Sequence, residues 1–208
     1  MRAPSLKLFC LSLLAALTFG LTSAAHADGH GEAPNPFFID ELRFGVLDHD
    51  APSNAHESGS IDVNAELLFH KLDIYSDKFD NYFWRVLTTP RPHVGVVINT
   101  AGDTSYAYTG LTWRGDIGPI LFIEGTFGFM VHNGENGKFI NGRSIVPGKP
   151  NRAALGQEYL FRESIAIGAQ ITKKISILAI AEHVSHAGIL TPVNNGLTSW
   201  GVKMGYKF

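Results

Sequence analysis

His183 and Ser185 stand two residues apart in the run Glu182-His183-Val184-Ser185-His186-Ala187-Gly188. On an extended strand, residues two apart point to the same side, with backbones about 7 Å apart along it. An imidazole and a hydroxyl so placed can serve as base and nucleophile in acyl transfer. Parity says which side they take. Ile175, Ile177, Ala179 and Ala181 share it, whereas Ser176 and Glu182 take the other. If the apolar set faces lipid, the pair lies on the outer wall of a barrel near its rim, which suits two polar groups only when the substrate is itself a membrane lipid. The plainer reading is a rim hydrogen-bond pair on a structural barrel.

The strand after this segment shows the same two-faced pattern. Trp200, Val202, Met204, Tyr206 and Phe208 alternate with Gly201, Lys203, Gly205 and Lys207, a period of two with one apolar face. An alternating strand that ends on an aromatic resembles the last strand of bacterial outer-membrane barrels, which turn apolar side chains outward and polar ones inward.

At the other end, Arg2 and Lys7 precede an apolar run from Leu8 to Leu21 and the small-x-small triplet Ala25-His26-Ala27. Residues 1–27 therefore read as a secretory signal peptide and 28–208 as one barrel domain. Cys10 is the only cysteine and falls inside the leader, so disulfides and thiol catalysis are not expected in the mature chain. The formal net charge of −2 provides no basic field for nucleic acid. His70, His93 and His132 show no metal-ligand spacing. Past the leader no apolar stretch reaches helix-spanning length, so a membrane span must be built from strands.

Eight alternating segments follow, near residues 38–48, 61–70, 93–100, 105–114, 120–132, 158–171, 175–185 and 197–208. Each sets charged or small residues against apolar ones, as Asp62, Asn64 and Glu66 alternate with Ile61, Val63 and Ala65. Charges on that face suit a barrel interior where they pair with one another. The pattern breaks over 72–92, which reads as an aromatic connection with a helical turn at the membrane interface. It breaks again over 132–156, read as a loop. The expected fold is all-β, an eight-stranded antiparallel transmembrane outer-membrane β-barrel. With both ends in the periplasm, His183 and Ser185 sit at the outer leaflet.

The His183-Val184-Ser185-His186-Ala187-Gly188 run, then Asn194-Asn195-Gly196 and an aromatic-ended strand, resembles the PagL-type lipid A 3-O-deacylases. The stretch PRPHVGVVINTAGDTSYAYTGLTW is similar to that family's middle section. The resemblance implies an esterase that removes the 3-O-linked acyl chain of lipid A, with His183 as base and Ser185 as nucleophile, using no metal and no cofactor. It implies lipid A or lipopolysaccharide as substrate within outer-membrane lipids, no nucleic acid, and leaves a homodimer open. Asn194 and the backbone around Gly188 match positions that would steady the oxyanion.

One position departs from the family pattern. The residue matching the family's glutamate, which orients the imidazole, is Thr198 here. A hydroxyl holds a ring by hydrogen bond but does not stabilise an imidazolium as a carboxylate does. Glu182 is adjacent to His183 but takes the opposite face. Glu163 shares the outward parity of Phe161 and Ile165, and a register pairing Ile171 with Ile175 sets it opposite His183. Thr198 and Glu163 are thus both candidates for the third member. The substitution also supports an alternative: a catalytically weakened or non-enzymatic small outer-membrane barrel with a structural role.

Overall fold

A chain that alternates apolar and polar residues can bury both sets only by closing a sheet on itself, with one face to hydrocarbon and the other to its own lumen. The computed structural model, which describes residues 38–51, 56–74 and 76–208, shows this for the unit Ile39–Phe208. The leader assigned to 1–27 lies outside the described residues. Strands β1 (Ile39–Asp48), β2 (Ile61–Phe69), β3 (Arg91–Asn99), β4 (Tyr106–Ile117) and β5 (Leu121–His132) lead to a short pair, β6 (Lys138–Ile140) and β7 (Arg143–Ile145). The strands β8 (Tyr159–Gln170), β9 (Ile175–Ser185) and β10 (Leu197–Lys207) complete the chain. All but β6 and β7 form one closed barrel in the order β1-β10-β9-β8-β5-β4-β3-β2, each neighbour antiparallel. Among the described residues no helix is long and apolar enough to cross a membrane.

The outer wall is apolar. Phe44, Val46, Ile98, Ile123, Phe127, Ile165, Ile177 and Val202 are exposed, and Phe127, Phe129 and Phe161 form an aromatic cluster across β5 and β8. The lumen holds the charge. Arg43 donates from Nη1 and Nη2 to the two carboxylate oxygens of Glu124 at 2.7 and 2.9 Å and from Nε to Glu41 at 2.7 Å. Arg91 donates to Glu41 at 2.8 Å, and Lys203 to Glu66 at 3.2 Å. Arg162 donates to Glu182 at 2.5 Å, lies 3.9 Å from the Tyr108 ring centroid, and shares Glu182 with the Tyr106 hydroxyl. A Cβ at Gly95 would collide with the Tyr108 ring, and one at Gly168 with Phe122, so these glycines provide the room that the two rings fill. The interior is packed with side chains, as a barrel of this strand number requires.

Two connections depart from simple loops. Between β2 and β3 the expected helical turn is present as α1 (Tyr82–Leu87), capped by Asn81, whose side chain accepts from Phe83 N at 2.9 Å. It lies on the outer side of β4: Trp113 Nε1 donates to Leu87 O at 2.9 Å, and Asp116 N to the Tyr82 hydroxyl at 2.6 Å. Tyr82, Phe83, Trp84 and Leu87 are exposed there. The stretch 132–156, expected to be loop alone, instead contains the β6–β7 hairpin, turned at Asn141 (φ 50°) and Gly142 (φ 77°). Asn-Gly between apolar residues is the sequence signature of such a two-residue turn.

At the end of the barrel that carries Ser185, the loops are clamped on a buried polar cluster. His49 donates through Nδ1 to Asp62 at 2.7 Å and through Nε2 to Glu57 at 3.1 Å. Glu57 also accepts from Thr104 N at 2.8 Å, Ala153 N at 3.1 Å and Arg152 Nε at 3.1 Å, joining the β1–β2, β3–β4 and β5–β8 connections at one carboxylate. Burial opposes charge on His49, but its hydrogen bonds to Asp62 and Glu57 raise its pKa from 6.5 to about 9. Burial likewise opposes ionisation of Glu57, yet His49 and the backbone donors bring it from 4.5 to about 2.

Two outcomes follow from these interior charges. Glu182→Ala leaves Arg162 buried without its carboxylate and is expected to cost about 3–5 kcal/mol in urea unfolding in micelles; a loss below about 1 kcal/mol would contradict the pairing. For the loop clamp, a raised histidine pKa makes its contribution full below pH 6.5 and lost as pH rises through about 9. A depressed glutamate pKa makes its own full above 4.5 and lost as pH falls through about 2. Protection factors at Thr104 and Ala153, which correct exchange for its intrinsic acid and base catalysis, are therefore highest between pH 4.5 and 6.5, and His49→Gln removes their alkaline decline. An unchanged alkaline limb in His49→Gln would show that another group governs it.

Candidate active site

β9 turns His183 outward with Ile175, Ile177 and Ala179, while Glu182 points inward to Arg162. On one side β10 places Thr198 opposite His183, and on the other β8 places Glu163 opposite it. The expected pairing of Ile171 with Ile175 holds, with Ile171 N donating to Ile175 O at 2.8 Å. The hydrogen bond at Nδ1 of His183 goes to Thr198 Oγ1, at 2.8 Å. Glu163 is exposed on the outer wall and, among the described residues, makes no hydrogen bond to His183. A neutral imidazole donating at Nδ1 presents an unprotonated Nε2 as the base.

Gly196 makes that ring position possible. Its φ is +67°, and a Cβ there would lie 2.9 Å from His183 Cε1 and 3.2 Å from Nε2. The imidazole thus rests on a backbone with no side chain, at a conformation that L residues other than glycine rarely adopt.

Ser185 ends β9 and is 8 % exposed. Its Oγ accepts from Ala187 N at 3.4 Å. Ala187 (φ 55°) and Gly188 (φ 67°) are both left-handed, and successive backbone N–H groups in turns of this kind form anion-binding concavities. Asn194 accepts at Oδ1 from His186 N at 3.4 Å, and its own N–H is held by Ser144 Oγ at 3.1 Å. That use of Oδ1 leaves the NH₂ of Asn194 as the donor half of its amide. His186, which the sequence suggests is an ordinary loop residue, is fully buried and bonds through Nε2 to Val193 O at 2.6 Å, closing the β9–β10 loop.

Residues that sequence reading did not single out complete the surroundings. Asp50, in the left-handed region at φ 50°, accepts from Thr198 N at 3.3 Å and from Glu57 N at 3.3 Å. Ser144 on β7 fastens the β6–β7 hairpin to the β9–β10 loop through Asn194 N and Pro192 O. A cavity of about 410 Å³ opens beside Thr198 and Gly196, walled by these loops. The Asn-Gly turn was the one legible sign of the hairpin; nothing local in the sequence marks Asp50.

A histidine on the outward face of β9 and a serine at its end, with the Ala187 N–H beside the hydroxyl, are the residue types that acyl transfer uses. The family model described as lipid A 3-O-deacylase (PagL) matches residues 81–207. The solved structure "Crystal structure of the outer membrane enzyme PagL" is 17 % identical, with a TM-score of 0.54, over 81 % of this chain and 99 % of that one. A designed transmembrane β-barrel (9 % identity, TM-score 0.48, 82 % and 96 % covered) and the Yersinia pestis outer-membrane protein Ail (11 %, 0.43, 83 % and 100 %) also match. No curated protein matches. The match covers well over half of the sequence and spans α1, the β6–β7 hairpin, His183, Ser185, Asn194, Gly196 and Thr198, though not Asp50, so the chain belongs to the lipid A 3-O-deacylase (PagL) family.

Proposed function

We propose that this protein is an outer-membrane esterase that removes the 3-O-linked acyl chain of lipid A by a Ser–His mechanism, after export directed by residues 1–27. The observation that carries the reading is the His183 Nδ1–Thr198 Oγ1 bond of 2.8 Å, which holds the imidazole on the outward face of β9, two residues from Ser185. Family membership supports the substrate class.

The acyl chain stays in the hydrocarbon, along the apolar wall of β8 and β9, while the ester rises to Ser185. Ser185 Oγ attacks the ester carbonyl as His183 Nε2 takes its proton. The tetrahedral oxyanion is met by the Asn194 NH₂ and the backbone N–H groups at Ala187 and Gly188. His183 then returns the proton to the departing sugar oxygen. Water, deprotonated by the same imidazole, releases the fatty acid from Ser185.

Thr198 fixes the ring and tautomer without adding a negative charge beside the imidazolium. The carboxylate of a Ser-His-Asp triad provides both functions, and its loss with geometry kept lowers kcat by about 10⁴ in the serine protease template. A slow enzyme is the physical expectation for this site.

Mass spectrometry of lipid A from cells producing the protein tests the activity: one 3-hydroxyacyl chain is lost with the wild type and retained with Ser185→Ala. Identical spectra from the two would favour a scaffold barrel. The third member is tested by comparing variants. Thr198→Ala is expected to lower kcat by about tenfold or more, and Glu163→Gln to leave it within about twofold. The reverse order would give the orienting role to Glu163.

A further inference from the structure

Beyond the reacting atoms, the mouth of the site contains a second polar constellation, drawn from three loops. The cavity beside Thr198 and Gly196 is walled by Asp50 and His56 from the β1–β2 connection, Arg143 and Ser144 from β7, and Asn194 and Asn195 from the β9–β10 loop. Apart from Gly196, each of these residues has a side chain able to form hydrogen bonds. It adjoins the Thr198–His183 pair yet lies to the loop side of it, whereas the apolar wall of β8 and β9 runs the other way into the bilayer band.

Two features leave this cavity short of partners. Arg143 is exposed, and among the described residues its guanidinium has no ion-pair or hydrogen-bond partner, unlike that of Arg152 on the same connection, which is held by Glu57 and Asp103. His56 meets the Asn195 amide through Nε2, while its Nδ1 is buried with no partner among the described residues, a condition unfavourable for a buried polar atom. Asp50 is the one carboxylate on the wall, and each of its oxygens accepts a backbone N–H. Its charge is therefore directed at the chain, and Arg143 is the cation left free to meet a ligand.

We propose that this cavity seats the phosphorylated amino sugar that carries the scissile ester, with Arg143 pairing its phosphate and Ser144 and Asn195 meeting its hydroxyl and amide groups. The inference rests on the deacylase reading and extends it. The bilayer wall holds the acyl chain, the polar cavity holds the sugar, and the ester bridging them is positioned at Ser185. Guanidinium suits phosphate because its planar donors meet two oxygens at once.

The test is binding to Ser185→Ala protein in micelles, which reads the cavity whether or not turnover occurs. Bisphosphorylated lipid A is expected to bind about tenfold more tightly than lipid A lacking the phosphate on the ester-bearing glucosamine, and Arg143→Gln abolishes that preference. Lys138→Gln, which removes a charge from the same hairpin outside the cavity, leaves it intact, and inorganic phosphate alone does not displace the lipid. A preference that survives Arg143→Gln, falls equally in Lys138→Gln, is absent from the start, or is matched by free phosphate overturns the assignment. In the Ser185 protein, Arg143→Gln raises KM for the phosphorylated lipid with kcat unchanged. Failure of the Ser185 protein to cleave any lipid A overturns the deacylase reading while the binding result stands separately.

Discussion

With the exception of Glu163, the charges in the middle of these strands turn one way. A strand pleats its side chains to alternate sides, and hydrocarbon accepts none of the ionised ones, so Arg43, Arg91, Arg162 and Lys203 must all turn toward the lumen. Once inside they are close enough to need one another. Glu41, Glu124, Glu182 and Glu66 answer them along β1, β5, β9 and β2. The register of the barrel follows, because a slip of one residue on any strand would exchange a guanidinium for an isoleucine on the lipid face. His183 is an outward polar group on a strand whose inward neighbour, Glu182, is locked to Arg162. The ring is held at the wall by the ion pair behind it as much as by the hydroxyl beside it.

The outer rim adds a second level of control. Glu57 accepts hydrogen bonds from three connections, and Asp50, seven residues before it in the chain, reaches Thr198 N. The residue that orients the imidazole is therefore itself fixed by a loop held through His49 and Glu57. Gly196 completes the arrangement from below the ring. The site is built on strands where position matters, with loops confined to its polar mouth, as positioned catalytic groups require.

How much of this was written in the sequence differs by scale. The barrel was legible strand by strand, because alternation at Trp200–Phe208 or Ile175–Ser185 encodes a face without reference to any partner. The register between β8 and β9 was legible too, since a short turn leaves few alternatives and Glu163 falls opposite His183 as the count implies. Which neighbour His183 would bond could not be read: Thr198 and Glu163 flank it equally in register, and only side-chain direction separates them. The cavity walls were the least legible. Asp50, His56 and Arg143 come from loops whose closeness depends on long-range folding, and a one-dimensional pattern has no term for that. His186 falls in the β9–β10 loop as expected, but its burial was not legible for the same reason, since it depends on Val193 and Gly156 rather than on its neighbours in sequence.

The short helix α1 gives the barrel a handedness of attachment. Its exposed rings stand at the inner rim on the β4 side, tied there by Tyr82 and Trp113, whereas β9 lies three strands away around the wall and uses its outer rim. Aromatic side chains favour the water–lipid boundary, so one wall is moored in the inner leaflet while the far wall meets the outer. Six residues on a single connection therefore give the rim an uneven hold on that boundary around its circumference.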